Sequence, residues 1–146
     1  MKLQKNTLLA LCGVLEFAAE PRRQFSTAEI AGKYGASPHH LAKVLGRLRR
    51  AGLVTAARGA GGGYRFAGNP KRVTLLDVIA LFERIGAPAR KGQLPLEDAI
   101  GRVLGEIDET AKATFGSITL ETLLRHSLKA PGRSAPARRS RGRGEG

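Results

Sequence analysis

The stretch LVTAARGAGGGYRFA, residues 53–67, decides the fold. Two short apolar runs flank Gly59, Ala60, Gly61, Gly62 and Gly63, with Arg58 and Arg65 beside the glycines. Apolar runs joined by a glycine-rich turn predict a β-hairpin, here with a bare, cationic tip. Immediately upstream, Ser37-Pro38 supplies a capping hydroxyl and a proline at the first helical position. Leu41, Val44, Leu45 and Leu48 then recur at helical spacing, which leaves His40, Lys43, Arg47 and Arg50 on the outward ridge. Gly52 is placed to end that helix in the left-handed conformation.

Working outward, STAEIAGKYG from Ser26 predicts a preceding helix, with a capping box between Ser26 and Glu29 and a stop at Gly35. Helix, short turn and helix followed by a basic hairpin is the order of a winged helix-turn-helix, whose second helix reads the major groove. A first helix is expected over residues 7–19, ending before Pro21, with Leu8, Leu11, Cys12 and Leu15 on its apolar stripe. After the hairpin, Asn69-Pro70 reads as a turn, and Thr74 with Asp77 starts a helix through Leu75, Val78, Ile79 and Phe82. The fold class is thus mainly α with one small β-hairpin.

Composition bounds the function. At 146 residues and 42% hydrophobic the chain can bury one modest core. The net charge of +13 is unevenly spread: residues 1–84 carry 14 Lys/Arg against 5 Asp/Glu, residues 85–128 carry 5 against 6, and residues 129–146 carry 6 against 1. Between Arg22 and Arg72 there are eleven Lys/Arg and one acid, Glu29. Such clustering suits a surface that displaces counterions from phosphates. No run approaches the roughly 18 apolar residues of a membrane span. The opening MKLQKNTLLALCGVLEFAAE superficially looks like a secretory leader, but Gly13, Glu16 and Glu20 interrupt it and its apolar residues follow helical spacing. A cytoplasmic protein is expected, and one cysteine excludes an internal disulfide.

Beyond residues 1–84, IGAPARKGQLP (85–95) reads as a linker, with two prolines and two glycines. A long helix is expected over residues 96–114, its Leu96, Ile100, Val103, Leu104, Ile107 and Ala111 forming a narrow stripe. A lone helix cannot bury such a stripe on itself, so a second copy is the expected partner rather than the chain's own core. Thr119 caps a short helix over residues 120–124, completing a segment of residues 96–128. Residues 129–146, rich in Arg, Pro, Gly and Ser, are expected to be disordered.

The stretches AEIAGKYGAS, HHLAKVLGRLRRAGLV, RGAGGGYRFA, VTLLDVIALFE and SITLETLL, with the opening MKL, resemble the Rrf2 family of bacterial transcription regulators over roughly residues 1–125. The resemblance implies a homodimer that binds a palindromic DNA operator. It places Ser37, His39, His40 and Lys43 at recognition-helix positions and Arg58 with the glycines at the wing. Ala42 stands where relatives with a cluster often carry an acid. The DNA-contact set is then Thr27, Ser37, His39, His40, Lys43, Arg47, Arg58, Gly61, Gly62 and Arg65, and the dimer set is Leu96, Ile100, Val103, Ile107 and Ala111. Several branches of the family hold an iron-sulfur cluster through three linker cysteines, whereas this linker has none, so no metal or other cofactor is expected.

Competing chemistry is thin. Cys12 reads as a small core hydrophobe, with a redox thiol as the other reading. His39 and His40 point about 100° apart on a helix and have no sequence-adjacent carboxylate or thiol, which argues against a metal pair. His126 is isolated. The glycine run lacks the Lys-Ser/Thr of a phosphate loop and leads into a strand. No triad or paired-carboxylate pattern indicates an enzyme. The expected function is a dimeric, sequence-specific regulator of the repressor kind; the alternative is a less specific nucleic-acid-binding or architectural protein.

Overall fold

A computed structural model describes residues 2–57, 62–86, 92 and 94–129. The tip residues Arg58 and Gly61, most of the 85–95 linker and the basic tail lie outside the described residues. The element order is α1 (Lys5–Ala19), α2 (Thr27–Tyr34), α3 (Pro38–Arg50), β1 (Val54–Ala57), β2 (Gly63–Phe66), α4 (Leu75–Ile79), α5 (Pro95–Ser117) and α6 (Leu120–Lys129).

Local chemistry starts and stops the first helices. Ser26 accepts the Glu29 amide and Ser37 accepts the His40 amide, so each helix of the pair satisfies an otherwise orphaned donor with a side-chain cap. Gly35 (φ 63°) and Gly52 (φ 78°) end α2 and α3 in the left-handed region that a side chain would disfavour. The capping box expected at Ser26 and Glu29 is half formed, because the Glu29 carboxylate turns instead to Arg23. At α4 the box is complete, with Thr74 and Asp77 capping each other's backbone. That helix is shorter than expected and ends at Ile79, with Phe82 in the turns that follow.

One core unites these elements. Ala10, Val14 and Phe17 of α1 meet Leu41, Val44, Leu45 and Leu48 of α3, each at most 2% exposed. Phe25, Ile30, Val54, Phe66, Val78 and Ile79 complete the core, and the Phe17 and Phe25 rings lie 5.1 Å apart in a tilted pair.

β1 and β2 pair antiparallel, with Val54 opposite Phe66 and Thr55 opposite Arg65. A third strand position that the sequence reading lacks comes from Phe25. Its amide donates to the Tyr64 carbonyl (2.9 Å), and the Tyr64 amide donates to the Phe25 carbonyl (2.8 Å). This pairing demands glycine beside it, since a Cβ on Gly63 would stand 2.4 Å from the Phe25 carbonyl oxygen.

The sequence places residues 96–128 outside the domain of residues 1–84, but the end of α5 returns to it. The Leu75 amide donates to the Ile118 carbonyl and the Leu120 amide to the Val73 carbonyl, both at 2.9 Å, and Leu120 is fully buried. α6 runs to Lys129, beyond the expected end at residue 124. α5 itself covers Pro95–Ser117 and buries none of its residues.

Candidate nucleic-acid interface

The amphipathic pattern of α3 sets out the candidate interface. With Leu41, Val44, Leu45 and Leu48 turned into the core, the opposite side carries His39, His40, Lys43, Arg49 and Arg50, all exposed. None of these five forms an ion pair with a described residue. Arg65, on β2 beside the hairpin tip, is exposed and unpaired in the same sense. Gly62 is exposed, with φ 27°. Ser37 is engaged as the cap of α3, and Thr27 sits half-buried as the first residue of α2.

Three other cations of this half, Arg23, Lys33 and Arg47, are already engaged, a distinction that charge counting does not reveal. Arg23 pairs with Glu20 and Glu29 and lies 4.4 Å from the centre of the Phe25 ring. Lys33 pairs with Glu16. Arg47 is on the outward ridge as expected, yet its guanidinium donates to the Leu81 carbonyl at 3.0 Å and lies 5.4 Å from the Phe82 ring centre. That side chain therefore ties α3 to the chain leaving α4. Arg49 was absent from the sequence-derived set, although its place between Leu48 and Arg50 in the last turn carried the signal.

A second polar cluster anchors α1. Glu83 accepts the Gln4 amide (2.7 Å) and the hydroxyl of fully buried Thr7 (2.7 Å). The Gln4 backbone bond, then the Thr7 hydroxyl, holds the Glu83 carboxyl below its ordinary value. Sequence reading gave no sign of this contact, because its partners lie 76 to 79 residues apart.

Cys12 is half-buried, and burial followed by the nearby Glu16 charge pushes its thiol pKa up. Both causes disfavour the reactive thiolate. At Glu16, burial raises the carboxyl, but hydrogen bonds from Lys33 and Tyr34 and the Lys33 charge outweigh it, with a net lowering. Among the described residues no three His, Cys, Asp or Glu side chains gather as a metal site. The chain's single thiol and a linker lacking Cys, His, Asp and Glu do not fit an iron-sulfur centre. No described helix is long and apolar enough to cross a membrane.

A three-helix core that presents one polar, unpaired helix face beside a cationic β-hairpin defines a winged helix-turn-helix, DNA-binding transcriptional regulator. The model of the Rrf2 family, described as an iron-dependent transcriptional regulator, matches residues 3–126, and the chain belongs to that family. It is 52% identical over 128 residues to a protein of Rhodopseudomonas palustris named as an HTH-type transcriptional regulator, BadM, covering 86% of this chain and 82% of that one. Among solved structures it is similar to CymR, the global cysteine regulator of B. subtilis (30% identity, TM-score 0.71, 86% of this chain and 98% of that chain). It is also similar to IscR of T. potens (25% identity, TM-score 0.67, 90% and 94%).

Proposed function

We propose that this chain acts as a homodimeric repressor that binds a palindromic operator and needs no iron-sulfur cluster. The observation that carries the reading is the pairing of two exposed surfaces on one small fold. α3 offers unpaired His39, His40 and Lys43 beside Arg65. α5 holds Leu96, Ile100, Val103, Leu104 and Ile107 at 54–77% exposure. A stripe of that size on a helix with no buried residue calls for a partner chain. A two-fold dimer then sets two reading helices against two half-sites, and occupancy of promoter DNA blocks polymerase sterically.

His39, His40 and Lys43 contact base edges, while Arg58, Gly61, Gly62 and Arg65 hold the backbone or minor groove, with Thr27 and Ser37 at the helix starts near phosphates. Iron independence is supported by the donor set: one thiol, shifted away from thiolate. Footprinting with purified protein, prepared without oxygen and assayed for iron and sulfide, tests the proposal. The expected result is a discrete palindromic footprint from iron-free protein. Protection without sequence preference would instead indicate a general nucleic-acid binder, and loss of the footprint on removal of stoichiometric iron would refute iron independence.

A further inference from the structure

The outward face of α3 has one bare place. Gly46 lies a full turn or more from either end of this 13-residue helix, where glycine costs stability relative to alanine. Nothing in the fold requires it. Unlike Gly35 and Gly52 it has no positive φ, and a Cβ built on it would meet one described atom within 4 Å, Arg50 Nη1 at 3.6 Å, which is ordinary contact. The Arg50 guanidinium thus lies back over Gly46, one turn toward the start of α3, in space that a side chain longer than alanine would take. We propose that Arg50, seated on Gly46, reads a guanine through its major-groove edge. This inference rests on the reading of α3 as the helix in the groove and adds to it a residue that sets base preference.

Position, availability and chemistry each single out Arg50 among the cations of this helix. At about 100° per residue, Arg50 falls within about 20° of both His39 and Lys43 and about 160° from buried Leu48, so it continues the line of the outward face. Arg49 stands about 100° round from that line. Arg50 is exposed, and it makes no ion pair or hydrogen bond with a described residue, the carbonyls of its own last turn included. Arg47, by contrast, is spent on Leu81 and Phe82. α3 carries no acid that could draw the Arg50 guanidinium aside. The planar fork of a guanidinium presents two parallel N–H donors that match guanine O6 and N7, a geometry that a lysine ammonium cannot reproduce. A bare Cα beneath the fork lets base edges come close to the helix at that point.

The test selects duplexes from a library with a randomised core, first with the full-length parent and then with each variant. Arg50→Lys keeps the charge and loses the fork. The expected result is a preference for guanine that falls by about 5- to 140-fold at one base-pair position, with preference elsewhere retained. Gly46→Leu fills the seat with a good helix former that offers no donor, and it should leave the fold intact by circular dichroism. It should lose the same guanine preference, and the double variant should lose no more at that position than either single variant. Losses that add would refute the seat. Guanine preference that survives Arg50→Lys, or equal weakening on every sequence, would overturn the proposal by making Arg50 a bystander or a phosphate contact. Lys43→Ala separates the two levels of failure. If it shifts base preference while Arg50→Lys does not, the assignment of Arg50 alone falls; if neither shifts it, α3 is not the reading helix and both readings fall.

Discussion

Replacing Ile100 by lysine isolates the contribution of the α5 stripe. Ile100 is 61% exposed in the single chain, so most of its side chain has no partner to lose, and the monomer should unfold at an unchanged temperature. Full burial of an isoleucine side chain stabilises by about 1.5–3 kcal/mol, so the exposed fraction has about 1–2 kcal/mol left to contribute on association. A two-fold dimer contains the substitution twice, which raises the loss to about 2–4 kcal/mol before any cost of burying the ammonium. At about 1.4 kcal/mol per decade, the dimer dissociation constant should rise by roughly 30-fold to several hundred-fold. Sedimentation equilibrium over a concentration series measures this directly, and a gel shift should show operator affinity falling in parallel. A dissociation constant within about threefold of the parent, with the fold intact, would show that the stripe is not the dimer surface.

Other consequences follow from particular contacts. Lys43→Ala should change base preference, with about 1–3 kcal/mol lost at the position it reads. Arg47→Ala, whose guanidinium is spent on Leu81 and Phe82, should leave preference unchanged, as selection from a randomised operator library would reveal. Gly63→Ala should lower the melting temperature, because the Phe25 carbonyl must move from 2.4 Å or break its pairing with Tyr64; an unchanged thermal transition would refute that constraint. The Glu83 carboxyl is held below its usual value of 4.5, so it contributes stability above the unfolded carboxylate range that is lost as pH falls through the lowered folded value. Glu83→Gln should flatten that acid-side loss in urea titrations below pH 4.5, and an unaltered slope would contradict it.

The helix-turn-helix was legible because its signals are local. Ser37-Pro38, the Leu41–Val44–Leu45–Leu48 period and Gly52 each act within a turn or two of the residue they specify, and α3 begins and ends where they place it. The capping of α4 by Thr74 and Asp77 was readable for the same reason. What escaped was long-range. Phe25 joins the hairpin across 39 residues through a single bridge, and only the bare Cα of Gly63 hints at the close approach. Leu120 enters the core because residues 118–120 pair with residues 73–75, an arrangement that no periodicity within α6 encodes. For Arg47, helical spacing gave the correct ridge but not the end point of a long side chain, which reaches back to the Leu81 carbonyl instead of continuing outward.

Two of these long-range contacts converge on the same short segment. Arg47 of the reading helix grips residues 81 and 82, and one residue later Glu83 grips Gln4 and Thr7 at the start of α1. The linker leaves from this point, so its root is fastened to α3 and to the start of α1. In relatives with a cluster, the family resemblance puts the iron-binding cysteines just beyond such a root. Here the linker between residues 85 and 95 has no ligand-type side chain, while the fastening contacts of the root use only ordinary hydrogen bonds and one ring contact. Arg47 and Glu83 thus tie α3, the chain after α4 and the start of α1 together through polar and ring contacts alone.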